Sequence, residues 1–145
     1  MRVVELQALP VDAVPARIQL AVSEVLCGFP SPSQDYQTSE LDLNEHLLPN
    51  RTSSYLVRVR GSSMSLAGIF DGDEIIVDRS IRPLDGHVVV AVIDGELTVK
   101  RLRLSSTGVL LVPESPDFPT IHVPELSELT IWGVVTRSLH RVDRA

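Results

Sequence analysis

The chain has 145 residues, of which 43% are hydrophobic and 22% charged, and its net charge is −6. This composition is typical of a globular protein with one packed domain and room for an additional arm. The negative charge argues against a phosphate-binding surface, so we expect no direct DNA binding.

The pattern of apolar residues predicts a soluble protein. The longest uninterrupted apolar run, Val88 to Ile93, is far too short to cross a bilayer, and no secretory signal is visible. The single cysteine, Cys27, excludes an intrachain disulfide and is compatible with a reducing compartment. We therefore expect a cytoplasmic protein without a membrane segment.

Residues 1–50 differ in character from the rest. They carry seven acidic residues and two arginines, and five prolines interrupt them. We predict an N-terminal arm over 1–50, disordered or seeking a partner, followed by a domain over 51–145. Within the arm, Ala16–Leu26 and Ser39–Leu48 are candidate helices, the first weakened by its β-branched residues and the second opening with a possible capping serine.

From Ser54 onward the sequence predicts short strands separated by turns. Alternation of period two begins at Tyr55, and Asp94-Gly95 is the dipeptide that best suits a two-residue hairpin turn. The further candidate strands are Glu74–Asp78, Gly86–Ile93, Glu96–Leu104, Gly108–Pro113 and Leu129–Leu139. Frequent strands without long helices between them indicate a compact, mainly β domain.

A candidate nucleophile lies where the first of these strands ends. Gly61-Ser62-Ser63-Met64 predicts a strand-to-helix corner, which exposes a hydroxyl beside unpaired backbone N–H groups able to hold an oxyanion. The alternative is strong, because most serines at such corners only cap a helix or fill a turn.

Lys100 is the only lysine among thirteen basic residues. A coding bias toward arginine would explain this, but a position that requires an amine able to lose its proton would also exclude arginine. On a strand Lys100 shares a face with Thr98, Leu102 and Leu104, where burial would lower its pKa. An edge-strand lysine with its head in water is the simpler interpretation.

Other kinds of site have little support. Ser65 replaces the second glycine of the G-x-S-x-G nucleophile elbow, and the S-x-x-K pattern is absent. The four histidines have no informative spacing. No grouping of His, Cys and acidic residues predicts a metal, and no glycine loop predicts a nucleotide, so we expect no cofactor.

Taken together, several short segments resemble the LexA/UmuD (S24) family of self-cleaving serine peptidases. These segments, in one order and spacing, are Gly61-Ser62-Ser63-Met64, Gly68-Ile69-Phe70-Asp71-Gly72-Asp73, Ile76-Val77-Asp78, Asp85-Gly86, Asp94-Gly95-Glu96, Thr98-Val99-Lys100 and Trp132-Gly133-Val134-Val135. The resemblance implies a LexA/signal-peptidase-like β domain of short curled strands with an extended arm. It also implies Ser63 as nucleophile, Lys100 as base, and the backbone N–H groups of Ser62 and Ser63 as oxyanion hole.

The front of the chain is similar to the UmuD arm rather than to a helix-turn-helix domain. Cys27-Gly28-Phe29-Pro30-Ser31-Pro32 carries this similarity and implies cleavage between Cys27 and Gly28. A small residue followed by glycine lets the backbone pass close to a nucleophile, although Cys27 could simply pack as a small hydrophobe and Gly28 turn the chain.

The UmuD-like resemblance further implies partners. It predicts a homodimer, cleavage stimulated by a RecA–single-stranded DNA filament, and a trimmed form that assists a UmuC-type translesion DNA polymerase in SOS mutagenesis. Two alternatives remain open: a non-catalytic dimeric docking module, and a truncated LexA-like repressor. A signal-peptidase relative would share the Ser–Lys chemistry but normally needs a membrane anchor.

Overall fold

The structure, a computed structural model, describes residues 1–9, 15–21, 38–123 and 129–143. The chain divides into two compact units, residues 11–49 and the rest of the chain. The predicted cleavage residues Cys27 and Gly28 lie outside the described residues. None of the helices in the described part of the chain is long and apolar enough to cross a membrane.

The described elements are almost all strands, and the predicted mainly β fold is confirmed. In chain order they are β1 (Arg2–Ala8), β2 (Arg17–Ala21), β3 (Thr38–Asp42), α1 (Leu43–Leu47), β4 (Ser54–Arg60), β5 (Glu74–Asp78), β6 (Val88–Ile93), β7 (Glu96–Ser105), β8 (Gly108–Val112), β9 (Ile121–Val123) and β10 (Thr130–Leu139).

Eight strands of the larger unit form one antiparallel sheet in the order β1-β4-β5-β10-β6-β7-β8-β9. A further pairing of Arg2 with Thr98 joins β1 to β7, so six of the strands close into a barrel. The predicted hairpin between β6 and β7 is present, with φ of 51° at Asp94 and 78° at Gly95. Sequence analysis did not predict β1, although this strand closes the barrel.

Two apolar clusters fill the larger unit. The first contains Met64, directly after the candidate nucleophile, and Val99, directly before the lone lysine, and both side chains are fully buried. The second cluster contains Leu102 of β7 and Leu111 of β8. The neighbours of both candidate catalytic residues are therefore core residues, so close packing fixes the backbone at both positions.

The smaller unit corrects two secondary-structure predictions. Arg17–Ala21, predicted as the start of a helix over Ala16–Leu26, is strand β2, and the later residues of that range are not described. Thr38–Asp42 is strand β3, so the second predicted helix begins at Leu43 and is capped by Asp42 rather than by Ser39. β2 and β3 pair antiparallel, and this pairing overrides the local helix pattern.

Gly133 on β10 packs closely against the end of β5 and the residue that follows it. A Cβ at this position would come within 2.5 Å of Val77 Cγ1 and 3.3 Å of Arg79 Cγ. We expect Gly133→Ala to lower the free energy of unfolding by about 1–3 kcal/mol, because the buried Val77 has little room to move. Urea denaturation at fixed protein concentration measures the change. Combining it with Val77→Ala should cost less than the sum of the two single changes, and full additivity would exclude this clash.

Candidate active site

The candidate nucleophile lies on a corner that follows β4. Gly61, with φ of 111°, turns the chain, and its N–H donates a hydrogen bond of 2.8 Å to the Asp71 carboxylate. Ser65–Ala67 then forms one turn of 3₁₀ helix, as the sequence predicts. Ser63 has an exposed fraction of 0%. Ser63 and the following Met64 are therefore buried within the domain, while Ser62 and Leu66 of the same corner are exposed.

Backbone hydrogen bonds connect this corner to the segment after β8. The N–H of Glu114 donates to the Ser63 carbonyl at 2.7 Å, and the N–H of Leu66 donates to the Glu114 carbonyl at 3.0 Å. Within the described residues, neither Ser62 nor Ser63 uses its backbone N–H in a hydrogen bond. The predicted oxyanion hole would use these two N–H groups.

Lys100 lies on β7, whose pairing with β6 and β8 makes it an internal strand. The residue is 7% exposed and its strand is internal, so the alternative of an exposed edge-strand lysine is wrong. Burial lowers the pKa of the Lys100 ammonium below its ordinary value. The amine also lies 5.9 Å from the centroid of the Phe118 ring, at the outer limit of a cation–π contact.

A third group, absent from the sequence-based prediction, occupies the site. The α-amine of Met1 donates a hydrogen bond of 2.5 Å to Ser63 Oγ, and the Met1 carbonyl accepts one of 2.9 Å from the N–H of Val99. Burial and the nearby charge of Lys100 lower the pKa of this amine to about 6. Met1 therefore lies against the serine corner and the lysine strand at once.

No direct hydrogen bond joins Ser63 to Lys100 within the described part of the chain. Ser63 Oγ instead accepts a hydrogen bond from the Met1 amine. Thr98, on the same face as Lys100, has a buried hydroxyl without a hydrogen-bond partner among the described residues. The Ser63–Lys100 pair and its oxyanion hole stay a prediction.

Sequence reasoning missed Met1 and Glu114 because neither belongs to a motif. The only local signal was the β-branched Val3-Val4 pair, which favours a strand but does not indicate its partner. Among the described residues, no group of three His, Cys, Asp or Glu side chains could hold a metal ion.

Comparison with known proteins defines the class of this mainly β domain. The family model described as Peptidase S24-like matches residues 19–136. The chain belongs to the Peptidase S24-like family, which confirms the LexA/UmuD resemblance of its motifs.

Three relatives illustrate the range of the family. MucA of Salmonella typhimurium is 43% identical over 123 residues, 84% of each chain. ImpA of Escherichia coli is 45% identical over 115 residues, covering 79% of this chain and 77% of ImpA. The LexA repressor of Leptothrix cholodnii is 41% identical over 119 residues, which are 81% of this chain but 51% of the repressor. Residues 1–18, which contain β1, precede the part that the family model matches.

Proposed function

We propose that this protein is a cytoplasmic SOS mutagenesis peptidase that cuts its own Cys27–Gly28 bond with Ser63 and Lys100. A RecA–single-stranded DNA filament stimulates the cut, and the trimmed protein, as a homodimer, assists a UmuC-type translesion DNA polymerase. The placement of Met1 carries this proposal. Its carbonyl binds β7, the strand on which the buried Lys100 lies, and its amine contacts Ser63. Membership of a peptidase family supports it.

The reaction begins with proton transfer. Neutral Lys100 accepts the proton of Ser63 Oγ, and the oxygen attacks the carbonyl carbon of Cys27. The negative charge that develops on the carbonyl oxygen accepts hydrogen bonds from the N–H groups of Ser62 and Ser63. As the C–N bond breaks, Lys100 returns its proton to the departing amine of Gly28.

An ester between Ser63 and Cys27 remains, and water resolves it. Lys100 accepts a proton from the water, whose oxygen attacks the ester carbonyl, and Ser63 recovers a proton as it leaves. The products are a fragment of 27 residues and one of 118. The lowered pKa of Lys100 supports both steps, because a base must hold no proton at the start of each.

Mass measurement tests this proposal. Purified protein is incubated with RecA, single-stranded DNA and ATP, with a reaction lacking the DNA as control. Fragments of 27 and 118 residues that form only with the complete filament are the expected result. A chain that stays intact while binding the filament would instead favour a docking module. Tight binding of naked duplex DNA at physiological salt would favour a truncated repressor.

A further inference from the structure

Glu114 connects the serine corner to the strand that carries Lys100. Its backbone N–H and carbonyl make the two hydrogen bonds that hold Ser63 and Leu66. Its carboxylate accepts a hydrogen bond from Nε of Arg101, the residue after Lys100 on β7. A second donor of the same guanidinium, Nη1, bonds the Gly86 carbonyl at 2.7 Å.

The side chains of Arg101 and Glu114 are 23% and 27% exposed, so water reaches this ion pair only in part. A planar guanidinium held at two points defines the position of its strand better than a single contact would. The contacts therefore run from Ser63 through Glu114 and Arg101 to the backbone of Lys100.

We propose that Glu114 is a positioning residue, whose carboxylate, held by Arg101, sets the separation between the Ser63 corner and the strand bearing Lys100. This inference rests on the proposed self-cleavage by these two residues. Glu114 lies outside the chemistry itself, since its side chain is engaged by Arg101.

The test compares three changes on one segment, Glu114→Ala, Glu114→Gln and the exposed Asp117→Ala as matched control. The filament-stimulated cleavage rate is measured by mass across the pH range, together with Tm. We expect Glu114→Ala to lower the maximal rate roughly ten- to hundredfold while the midpoint of the pH profile stays native. Glu114→Gln should stay within about threefold of native, because its amide oxygen still accepts from Arg101. Asp117→Ala should match the native rate.

A native rate for Glu114→Ala would overturn the inference. A shifted pH midpoint, or an equal loss in Glu114→Gln, would overturn it too, since either means that the carboxylate charge acts on the reaction. If Glu114→Ala does not fold, Arg101→Lys provides the same test, because a lysine cannot reach both Glu114 and Gly86. A native protein that never cleaves would refute the proposed function, a result distinct from all of these.

A separate observation concerns strand β1. It pairs with β4 from Arg2 to Ala8 and reaches β7 at Thr98, while the Met1 amine bonds Ser63 Oγ. Ser63 is inaccessible to solvent in this arrangement. Met1 therefore occupies the position beside Ser63 Oγ that the carbonyl of a substrate bond would need.

Most of β1 is exposed to solvent, although Val3 and the preceding Met1 pack against the first apolar cluster. Val4 is 45% exposed and Leu6 is 39% exposed. Both side chains of the ion pair between Glu5 and Arg58 are also exposed to solvent. A strand with so little buried surface separates from a sheet more easily than a core strand does. We infer that β1 blocks the active site and must leave it before the chain can cut itself, an inference that again rests on the proposed function.

A reversible disulfide tests this inference. Glu5 and Arg58 are cross-strand partners, so Glu5→Cys with Arg58→Cys can form a disulfide that locks β1 onto β4. The matched control places the same bond at Arg103 and Leu110, partners on β7 and β8. Both double variants are incubated with the filament before and after reduction, and the cleaved fraction is measured by mass.

We expect the oxidised β1 lock to cleave at least about a hundredfold more slowly than its reduced form, because the open state is no longer populated. The control variant should cleave at the same rate when oxidised and when reduced. Because it also contains Cys27, it reveals any effect of oxidising that residue. Equal rates for the locked and reduced β1 variant would overturn the inference. Failure of both reduced variants and of the native protein would refute the proposed function instead.

Discussion

Ser63→Ala is expected to abolish self-cleavage, with a rate loss of at least about 10⁴-fold. Alanine removes only the attacking oxygen and leaves the backbone N–H groups of the corner in place. Met64 and the hydrogen bond from Glu114 to the Ser63 carbonyl still hold the segment, so the fold should persist. The measurement is the mass of the chain after incubation with the filament, together with Tm.

Ser65→Ala is the matched control for this change. Ser65 lies two residues along the same corner and contributes backbone hydrogen bonds, from its own N–H to the Ser62 carbonyl and from Gly68 N–H to its carbonyl. Alanine keeps both of these bonds, so this variant should cleave at the native rate. Cleavage of Ser63→Ala at that same rate would exclude Ser63 as the nucleophile. It would favour the alternative in which the domain is a docking module.

Sequence patterns predicted β4 to β8 and β10 of the larger unit well because these strands obey local rules, whereas β1 and the short β9 were missed. Glu74–Asp78 matches β5, and the candidate strand Leu129–Leu139 differs from β10 by one residue. Period-two alternation and an Asp-Gly turn are readable without knowledge of distant partners. The family motifs lie on these same segments, so the fold was predictable from them, while the pairing of Ser63 with Lys100 stays a prediction.

The front of the chain was less predictable because its structure depends on distant residues. The stretch from Arg17 has a helix-like composition, but pairing with a strand some twenty residues later makes it β2. β1 lies against β4, and its Met1 contacts a serine 62 positions away. Glu114 was invisible for the same reason, since its importance arises from contacts with Ser63 and Arg101. Tertiary contacts of this kind leave no periodic signal.

Lys100→Arg is expected to abolish self-cleavage at every pH, although it preserves positive charge. A guanidinium does not release its proton in a protein, so it cannot accept the proton of Ser63. The native rate should rise with pH as Lys100 loses its proton, with a midpoint below the ordinary pKa of lysine. Rates measured by mass from about pH 5 to about pH 10 give the profile, and the exposed Arg103→Ala on the same strand is the control.

The same lowered pKa affects stability, with a defined sign. Between the folded and unfolded pKa values of Lys100 the unfolded chain binds more protons, so stability rises with pH across that window. As the pH falls from the unfolded pKa to the folded pKa, this part of the free energy of unfolding is lost. Lys100→Met, which carries no titrating group, should remove this part of the pH dependence of urea unfolding. A slope identical to that of the native protein would show that Lys100 is not desolvated.

The pH profile also separates Lys100 from the other amine at the site. The Met1 amine contacts Ser63 directly and has a pKa of about 6, so it is largely neutral at pH 7. If this amine were the base, the rate would rise near pH 6 and Lys100→Arg would still cleave. If Lys100 is the base, the rise is more alkaline and disappears in the arginine variant. Lys100 alone fits the proposed order of events, because β1 carries the Met1 amine away from Ser63 before the substrate bond arrives.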